Sequence, residues 1–433
     1  VSEKGSVSPS GGFLDRPAGG GFRSVFKTRG YMPTTHIFRT ILLLFSAIIA
    51  IGIPSCAAQP SLAQSPTTRI DTMRQGEKPE VRGVWLTLAG SSVLDSRENI
   101  AVAMRMLREN GFNAVFPVVW ARGFTLWRSA RMQREFGYAT GAQFGGRDVL
   151  AEVIREARAN GLAVIPWFEY GFAAFYTAPG PLLQRHPEWA CIGQNGAPVV
   201  KNGFHWMNAL DSNVQNFMSD LVMEVVEKYD IDGVQGDDRL PAMPSEGGYD
   251  SATVALYRRE TGRTAPQNTK DAAWVQWRAN KLTEWLSRLR RQVKARKNII
   301  VAMSPSPFPF GNVEYLQDSP TWMQRGLVDL LSPQLYRRNG AAYQTLVEQL
   351  QSQLPAKARG HVAPGILGRS DSYVAAPQLL TQCIEDNRTA GFVGSVIFYY
   401  EALTPSANQA AKFLRESVYR TSVAFPKDSL LKP

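Results

Sequence analysis

The sequence predicts an α/β fold, a (β/α)8 TIM barrel with long βα loops after strands 3 and 4. Three observations carry that prediction: from about residue 80 onward eight short, β-rich apolar runs recur, amphipathic helical segments separate them, and no glycine-rich phosphate loop follows any run. Parallel strands need helical crossovers, so the alternation gives parallel βα units, and eight of them read as a barrel. A doubly wound open sheet is the competing architecture, and the missing phosphate loop counts against it.

The runs, in order, are "VRGVWLTL" (81–88), "AVFPVVW" (114–120), "AVIPWFEY" (163–170), "DGVQGDD" (232–238), "IIVAMSP" (299–305), "VDLLSPQLY" (328–336), "HVAPGI" (361–366) and "SVIFYYEAL" (395–403). In the first helical segment, "SRENIAVAMRMLRENGF", Ile100, Met104, Leu107 and Phe112 share a face, Ser96 is the N-cap and Gly111 the stop. "RDVLAEVIREARANGL" repeats the design with Gly161, and "NVQNFMSDLVMEVVEKYDI" leads straight into the fourth strand. The connections 171–212 and 239–298 are too long for turns. Loops after the C-terminal ends of barrel strands surround the active site, so these two wall a cleft. In the helix "KDAAWVQWRANKLTEWLSRLRRQVKAR", the spacing of Trp274, Trp277, Leu282, Trp285 and Leu289 suits packing against the barrel.

With 44% hydrophobic and 20% charged residues, the chain has the profile of a protein with a sizeable core. The barrel domain is expected over 79–418, with a tail at 419–433. Ahead of it, "TILLLFSAIIAIGI" (40–53) follows Arg39 and suits a signal-peptide core, being short for a membrane span. The signal region covers 32–63, and a linker covers 64–78. "IPSC" ending at Cys56 resembles a lipobox, with Pro54 an unusual residue in it, and would attach the protein to a membrane through a lipidated cysteine; "SLAQ" offers cleavage at Ala63. An uncleaved anchor is the third reading, and all three export the body to the periplasm or cell envelope. Residues 1–31 fit no signal peptide and read as a disordered stretch or an overextended start, with Met32 as the working start.

Six basic and two acidic residues precede Cys56, so the part after it keeps about +7 of the formal +11. No dense Lys/Arg run accompanies that excess, which argues against a nucleic-acid partner. Four histidines without ligand-like spacing argue against a metal site, and nothing calls for a cofactor. Cys191 and Cys383 pair in an oxidising compartment or stay as buried thiols.

Reactive groups are sought at the C-terminal strand ends. Strand 3 ends in "PWFEYG", placing Glu169 at the rim; strand 4 ends in Asp237 and Asp238; strand 8 ends in "FYYEAL", placing Glu401 there. Side chains alternate along a strand, so one of the two aspartates acts and the other supports it. Paired carboxylates suit glycoside hydrolysis, one protonating the leaving oxygen while the other attacks the sugar or activates water. Trp85, Trp120, Trp127, Trp167, Trp206, Tyr336, Tyr399 and Tyr400 offer aromatic faces for sugar rings, with Gln334 beside Tyr336 as a polar contact; filling barrel layers is the competing role for each aromatic. Asp232 and Asp329, early in their runs, read as architectural.

The segments "EVRGVWLT", "ENGFNAVFPVVW", "VIPWFEYG", "MNALDSNVQNFMSDLVMEVVEKYDIDGVQGDDRLPAMPSEGGYD" and "LLSPQLY" together resemble the family 10 glycosyl-hydrolase-like proteins, over about residues 79–416. That resemblance implies a (β/α)8 barrel of the bacterial envelope, such as a cyanobacterial member, acting on peptidoglycan glycan strands stripped of peptides. Asp237 and Asp238 match the family's strand-4 aspartates. Arg239 stands where an aromatic residue or His is usual, Gly236 replaces a bulkier residue, and "WFEYG" departs from the usual Asn-Pro ending. The leading expectation is an exported glycoside hydrolase acting on a polysaccharide. A noncatalytic envelope glycan-binding protein on the same barrel is the alternative, and a deacetylase is disfavoured by the lack of metal-ligand clusters.

Overall fold

The computed structural model describes residues 78–432 apart from 371, 405 and 408. The expected signal segment, Cys56, Ala63 and the linker through 77 lie outside the described residues. Each of the eight apolar runs holds a strand: β1 (Val81–Leu86), β2 (Ala114–Pro117), β3 (Ala163–Val164), β4 (Gly233–Gly236), β5 (Ile300–Met303), β6 (Leu330–Leu331), β7 (Gly365–Leu367) and β8 (Gly394–Phe398). All their pairings are parallel, in a five-stranded sheet of order β7-β8-β1-β2-β3 and a three-stranded sheet of order β6-β5-β4.

These continuous ladders do not close on themselves. Single parallel bridges span both gaps, Trp167 with Gln235 on one side and Leu331 with Val362 and Gln334 with Gly365 on the other. Proline explains the interruption: Pro166 and Pro333 follow the two-residue strands β3 and β6, and a proline nitrogen donates no ladder hydrogen bond. Their carbonyls still accept, Pro166 O from Gln235 N and Pro333 O from Gly365 N, each at 2.8 Å.

A helix follows every strand: α1 (Arg97–Glu109), α2 (Val149–Ala159), α3 (Ser212–Lys228), α4 (Ala272–Arg296), α5 (Ser319–Gln324), α6 (Gly340–Gln353), α7 (Pro377–Thr389) and α8 (Ala410–Glu416). Side-chain acceptors cap the starts of α1 to α6: Ser96, Asp148, Asp211, Asp271, Asp318 and Asn339. The apolar faces of α1 and α4 are buried as their spacing predicts at Ile100, Met104 and Leu107 in the first and Leu282, Trp285 and Leu289 in the second; Trp274 and Trp277 depart from it, forming with Tyr257 a second buried cluster apart from the main core.

The long connection after β3 folds into a small antiparallel sheet of Ala173–Tyr176, Phe204–Trp206 and Val200–Lys201. Lys201 ties it to the later loops, its Nζ 2.9 Å from Glu246 and 2.8 Å from Glu314. The connection after β4 is organised by Arg278 of α4, which forms no ion pair with a carboxylate among the described residues. Its buried guanidinium donates to the carbonyls of Ser245 (2.7 Å), Gly247 (2.6 Å) and Thr269 (2.7 Å) and lies over the Trp274 ring. Burial brings its pKa down to about 10.

Residues 419–432, expected as a tail, instead pack against the strand starts. Tyr419 and Leu430 are buried, Arg82 Nη1 donates to Thr421 O at 2.7 Å, and Lys427 Nζ reaches Asp232 at 2.8 Å. Asp232 is the junction of that end: its buried carboxylate also accepts from Val164 N and Arg158 Nη1, both at 2.8 Å. Removing it orphans a strand N–H and two cations. Asp232→Ala should lower the unfolding free energy by about 3 kcal/mol in denaturant titration. A loss below about 1 kcal/mol would show that the junction is dispensable.

Candidate active site

Asp237 and Asp238 leave the C-terminal end of β4, and Glu169 stands three residues beyond Pro166, where the β3 run ends. The three carboxyl groups meet on one guanidinium. Arg239 Nη2 donates to Asp237 Oδ2 at 2.7 Å and lies 3.8 Å from Glu169 Oε1. Arg239 Nη1 is 2.9 Å from Asp238 Oδ1 but off the hydrogen-bond direction, so that contact is electrostatic. The rings of Phe204 and Tyr170 flank the guanidinium at 5.0 and 5.7 Å.

Backbone docking fixes this arrangement. Arg239 O accepts from Phe172 N at 2.9 Å, and Arg239 Nε donates to Glu169 O at 2.9 Å, so the loops after β3 and β4 are bonded to each other. Gly171, with φ +47°, permits the approach: a Cβ there would sit 2.1 Å from Arg239 O. Gly236 has the same kind of reason, because its Cβ would meet Leu240 O at 2.3 Å. The bulkier residue usual at that position has no room beside this turn.

Exposure separates the aspartates. The Asp237 side chain is 1% exposed, against 8% for Asp238, 15% for Arg239 and 18% for Glu169. Asp237 is also the most restrained: Gln334 Nε2 donates to its Oδ1 at 2.8 Å, and Gln317 Nε2 holds its carbonyl at 3.0 Å. Burial, and next the adjacent Asp238 charge, push the Asp237 carboxyl well above its ordinary range, against the pull of Arg239. Burial likewise raises Glu169, opposed by Arg239 and Arg122.

Of the other residues singled out in the sequence, Gln334 joins the cluster directly, and Tyr336 lies beneath it, its hydroxyl pKa raised by burial and then by Asp237. Trp85, Trp167, Phe398 and Tyr336 form a buried aromatic floor; Tyr336 and Phe398 stack at 5.0 Å, and Trp85 Nε1 donates to Gln235 Oε1 at 2.8 Å. Trp120 turns toward α3, packing on Phe217 and donating to Gly171 O at 3.0 Å. Trp206 packs on Tyr315 in the small antiparallel sheet, Trp127 donates to Glu224, and Tyr399 is buried against Gly90. Glu401 stands apart from the three carboxylates, held by Ser91 and Ser92 of the loop after β1. Arg239, Gln317 and Gln235 emerge only in the structure. The one sequence signal for Arg239 was its place directly after two acids, which need a counter-charge. Cys191 and Cys383 are separate buried thiols, and among the described residues no group of three or more His, Cys, Asp or Glu has the geometry to hold a metal ion.

The family model described as "Glycosyl hydrolase-like 10" matches residues 80–373, which includes all of this cluster. The chain belongs to the glycosyl hydrolase-like 10 family. Glycosyl hydrolase DigH of Escherichia coli K12 is 25% identical over 402 residues, covering 79% of this chain and 88% of that protein. Glycosyl hydrolase YngK of Bacillus subtilis is 24% identical over 314 residues, covering 62% of this chain and 57% of that protein. Among solved structures, the glycoside hydrolase domain of PgaB (BpsB) from Bordetella bronchiseptica superposes with a TM-score of 0.56 at 13% identity, covering 78% of this chain and 99% of that one. The catalytic domain of a β-amylase from Paenibacillus polymyxa gives a TM-score of 0.56 at 12% identity, covering 78% and 98%. The structural likenesses show a shared fold with glycoside hydrolases, and family membership supports a glycosidase-type function.

The raised Asp237 pKa has a consequence for stability. An acid with a raised folded pKa binds more protons folded than unfolded, so stability falls as pH rises from its ordinary 3.8 toward the raised value. Asparagine does not ionise. Asp237→Asn should therefore gain melting temperature relative to the unaltered chain between about pH 4 and pH 7; a difference constant over that range would contradict the assignment.

Proposed function

We propose that this chain is an exported glycoside hydrolase that cleaves glycosidic bonds in an envelope or extracellular polysaccharide, with peptide-free peptidoglycan strands as the substrate. Family membership supports the reaction class, and the apolar run at 40–53, with Cys56 or Ala63 after it, supports export. The eight strands, linked across both gaps by single bridges, are read as a (β/α)8 barrel whose C-terminal face carries the site.

The observation that carries this reading is one guanidinium between two carboxyl groups, Glu169, the most exposed of the three, and Asp238, less deeply buried than Asp237. Both lie close to nitrogens of Arg239, which sets a ceiling of roughly 9 Å on their separation, a ceiling that admits the spacings glycosidases use. Glu169, raised by burial and open to the cleft, serves as the acid: its proton passes to the glycosidic oxygen as the C1–O bond breaks. Asp238 supplies the second carboxylate, attacking C1 at a separation near ~5 Å or taking a proton from the attacking water at ~6.5–9.5 Å. Asp237, buried and bonded to Gln334 and Arg239, positions its neighbour.

Asp238→Asn and Glu169→Gln should each lower kcat on peptide-free peptidoglycan by about 10³-fold with the fold retained by circular dichroism. Full turnover by Asp238→Asn or by Glu169→Gln would defeat the proposal. The close pairing of Arg239 with both aspartates favours a second reading, a glycan-binding protein without turnover. Release of new reducing ends from peptide-free strands supports the enzyme; retention on the strands with none released supports the binder.

A further inference from the structure

Glu401 takes no part in the Arg239 cluster, yet it has an unsatisfied charged atom of its own. It follows β8 in the turn Tyr400–Ala402, and its Oε1 accepts from Ser91 Oγ and, at 3.3 Å, from Ser92 N. Its Oε2 is buried with no partner. Arg369 lies on the short ribbon after β7, where Arg369 pairs with Val374 and Ser370 with Tyr373. Its charge acts on Glu401, but the two make no ion pair, and Arg369 Nε is also buried without a partner. Tyr400 and Tyr373 are half-buried beside them, with Arg338 5.2 Å over the Tyr373 ring.

Strands β7, β8 and β1 are neighbours in one sheet, so these three loops stand together at the strand ends that carry Asp238 and Glu169. Each unpaired buried polar atom costs about 1–3 kcal/mol, and native proteins keep few of them without a use. Sugar hydroxyl groups suit both atoms: an O–H donates to Oε2, and a hydroxyl lone pair accepts from Nε–H. The opposite charges of the pair favour a neutral polyhydroxyl ligand over an ion, and both residues are only partly buried, so side-chain rotation admits one.

We propose that Glu401 and Arg369, with Ser91 holding Glu401, form a sugar-hydroxyl subsite on the β7–β8–β1 side of the mouth, binding a ring of the glycan chain other than the one being protonated. Glu401 is then a substrate-binding residue and transfers no proton in the reaction. The inference rests on the glycoside hydrolase reading, and its test has an arm independent of turnover.

Binding of a peptide-free peptidoglycan tetrasaccharide is measured by calorimetry on the Asp238→Asn chain, alone and with Glu401→Gln or Arg369→Gln added. Turnover is measured for the same two substitutions in the otherwise unaltered chain. The subsite predicts about tenfold weaker binding for each substitution, and about tenfold higher KM with kcat within threefold. Unchanged affinity in both variants, no measurable binding by the Asp238→Asn chain, or a 10³-fold loss of kcat with affinity unchanged would each overturn it. If the unaltered chain releases no reducing ends, the hydrolase reading fails on its own while the calorimetry still decides the subsite.

Discussion

Three carboxyl groups and one guanidinium meet where β3 and β4 end, and the rest of the site depends on that unequal count. Arg239 touches Asp237, Asp238 and Glu169, Arg122 adds a second positive charge near Glu169, and two cations do not balance three acids in a partly buried cleft. The imbalance holds Asp237 and Glu169 above the ordinary carboxyl range, with burial as the larger cause. Burial thereby favours the protonated form of Asp237 and Glu169, the form that a general acid in the proposed hydrolysis requires.

Holding this cluster is the work of loops that the parallel strands only launch. Gly171 brings the loop after β3 onto the Arg239 carbonyl, and Gln317 and Gln334, from the connections after β5 and β6, fix the backbone and side chain of Asp237. Below, the aromatic floor of Trp85, Trp167, Phe398 and Tyr336 excludes water from the buried side of the carboxylates. Above, Lys201 joins the wall after β3 to Glu246 and Glu314. The site is thus assembled from several connections, as expected when chemistry is placed at the C-terminal ends of parallel strands.

Much of the fold was legible because it is local. The eight apolar runs, the Ser96 cap and the packing face of α4 follow from periodicity and propensity within short windows. Asp232 and Asp329 were legible as architectural from their early places in the runs, and both accept strand N–H groups. What was not legible depends on contacts between distant residues. Arg82 bonds Thr421, 339 residues away, so the packing of the C-terminal segment left no local trace. The aromatic residues sat at the right strand ends, yet Trp85 is buried because Gln235 of another strand satisfies its N–H. Arg239 read as a departure from the family pattern, and only the convergence of Glu169 with the two aspartates gives it a task.

The central claim is that Asp238 and Glu169 face substrate across Arg239 while Asp237 stays beneath. The most direct measurement is a crystal structure of the Asp238→Asn chain with a peptide-free glycan oligosaccharide bound. The account predicts the scissile glycosidic oxygen within about 3 Å of Glu169, with Asp237 still bonded to Gln334 and out of contact with the sugar. A glycan seated away from Arg239, or resting directly on Asp237, would contradict it.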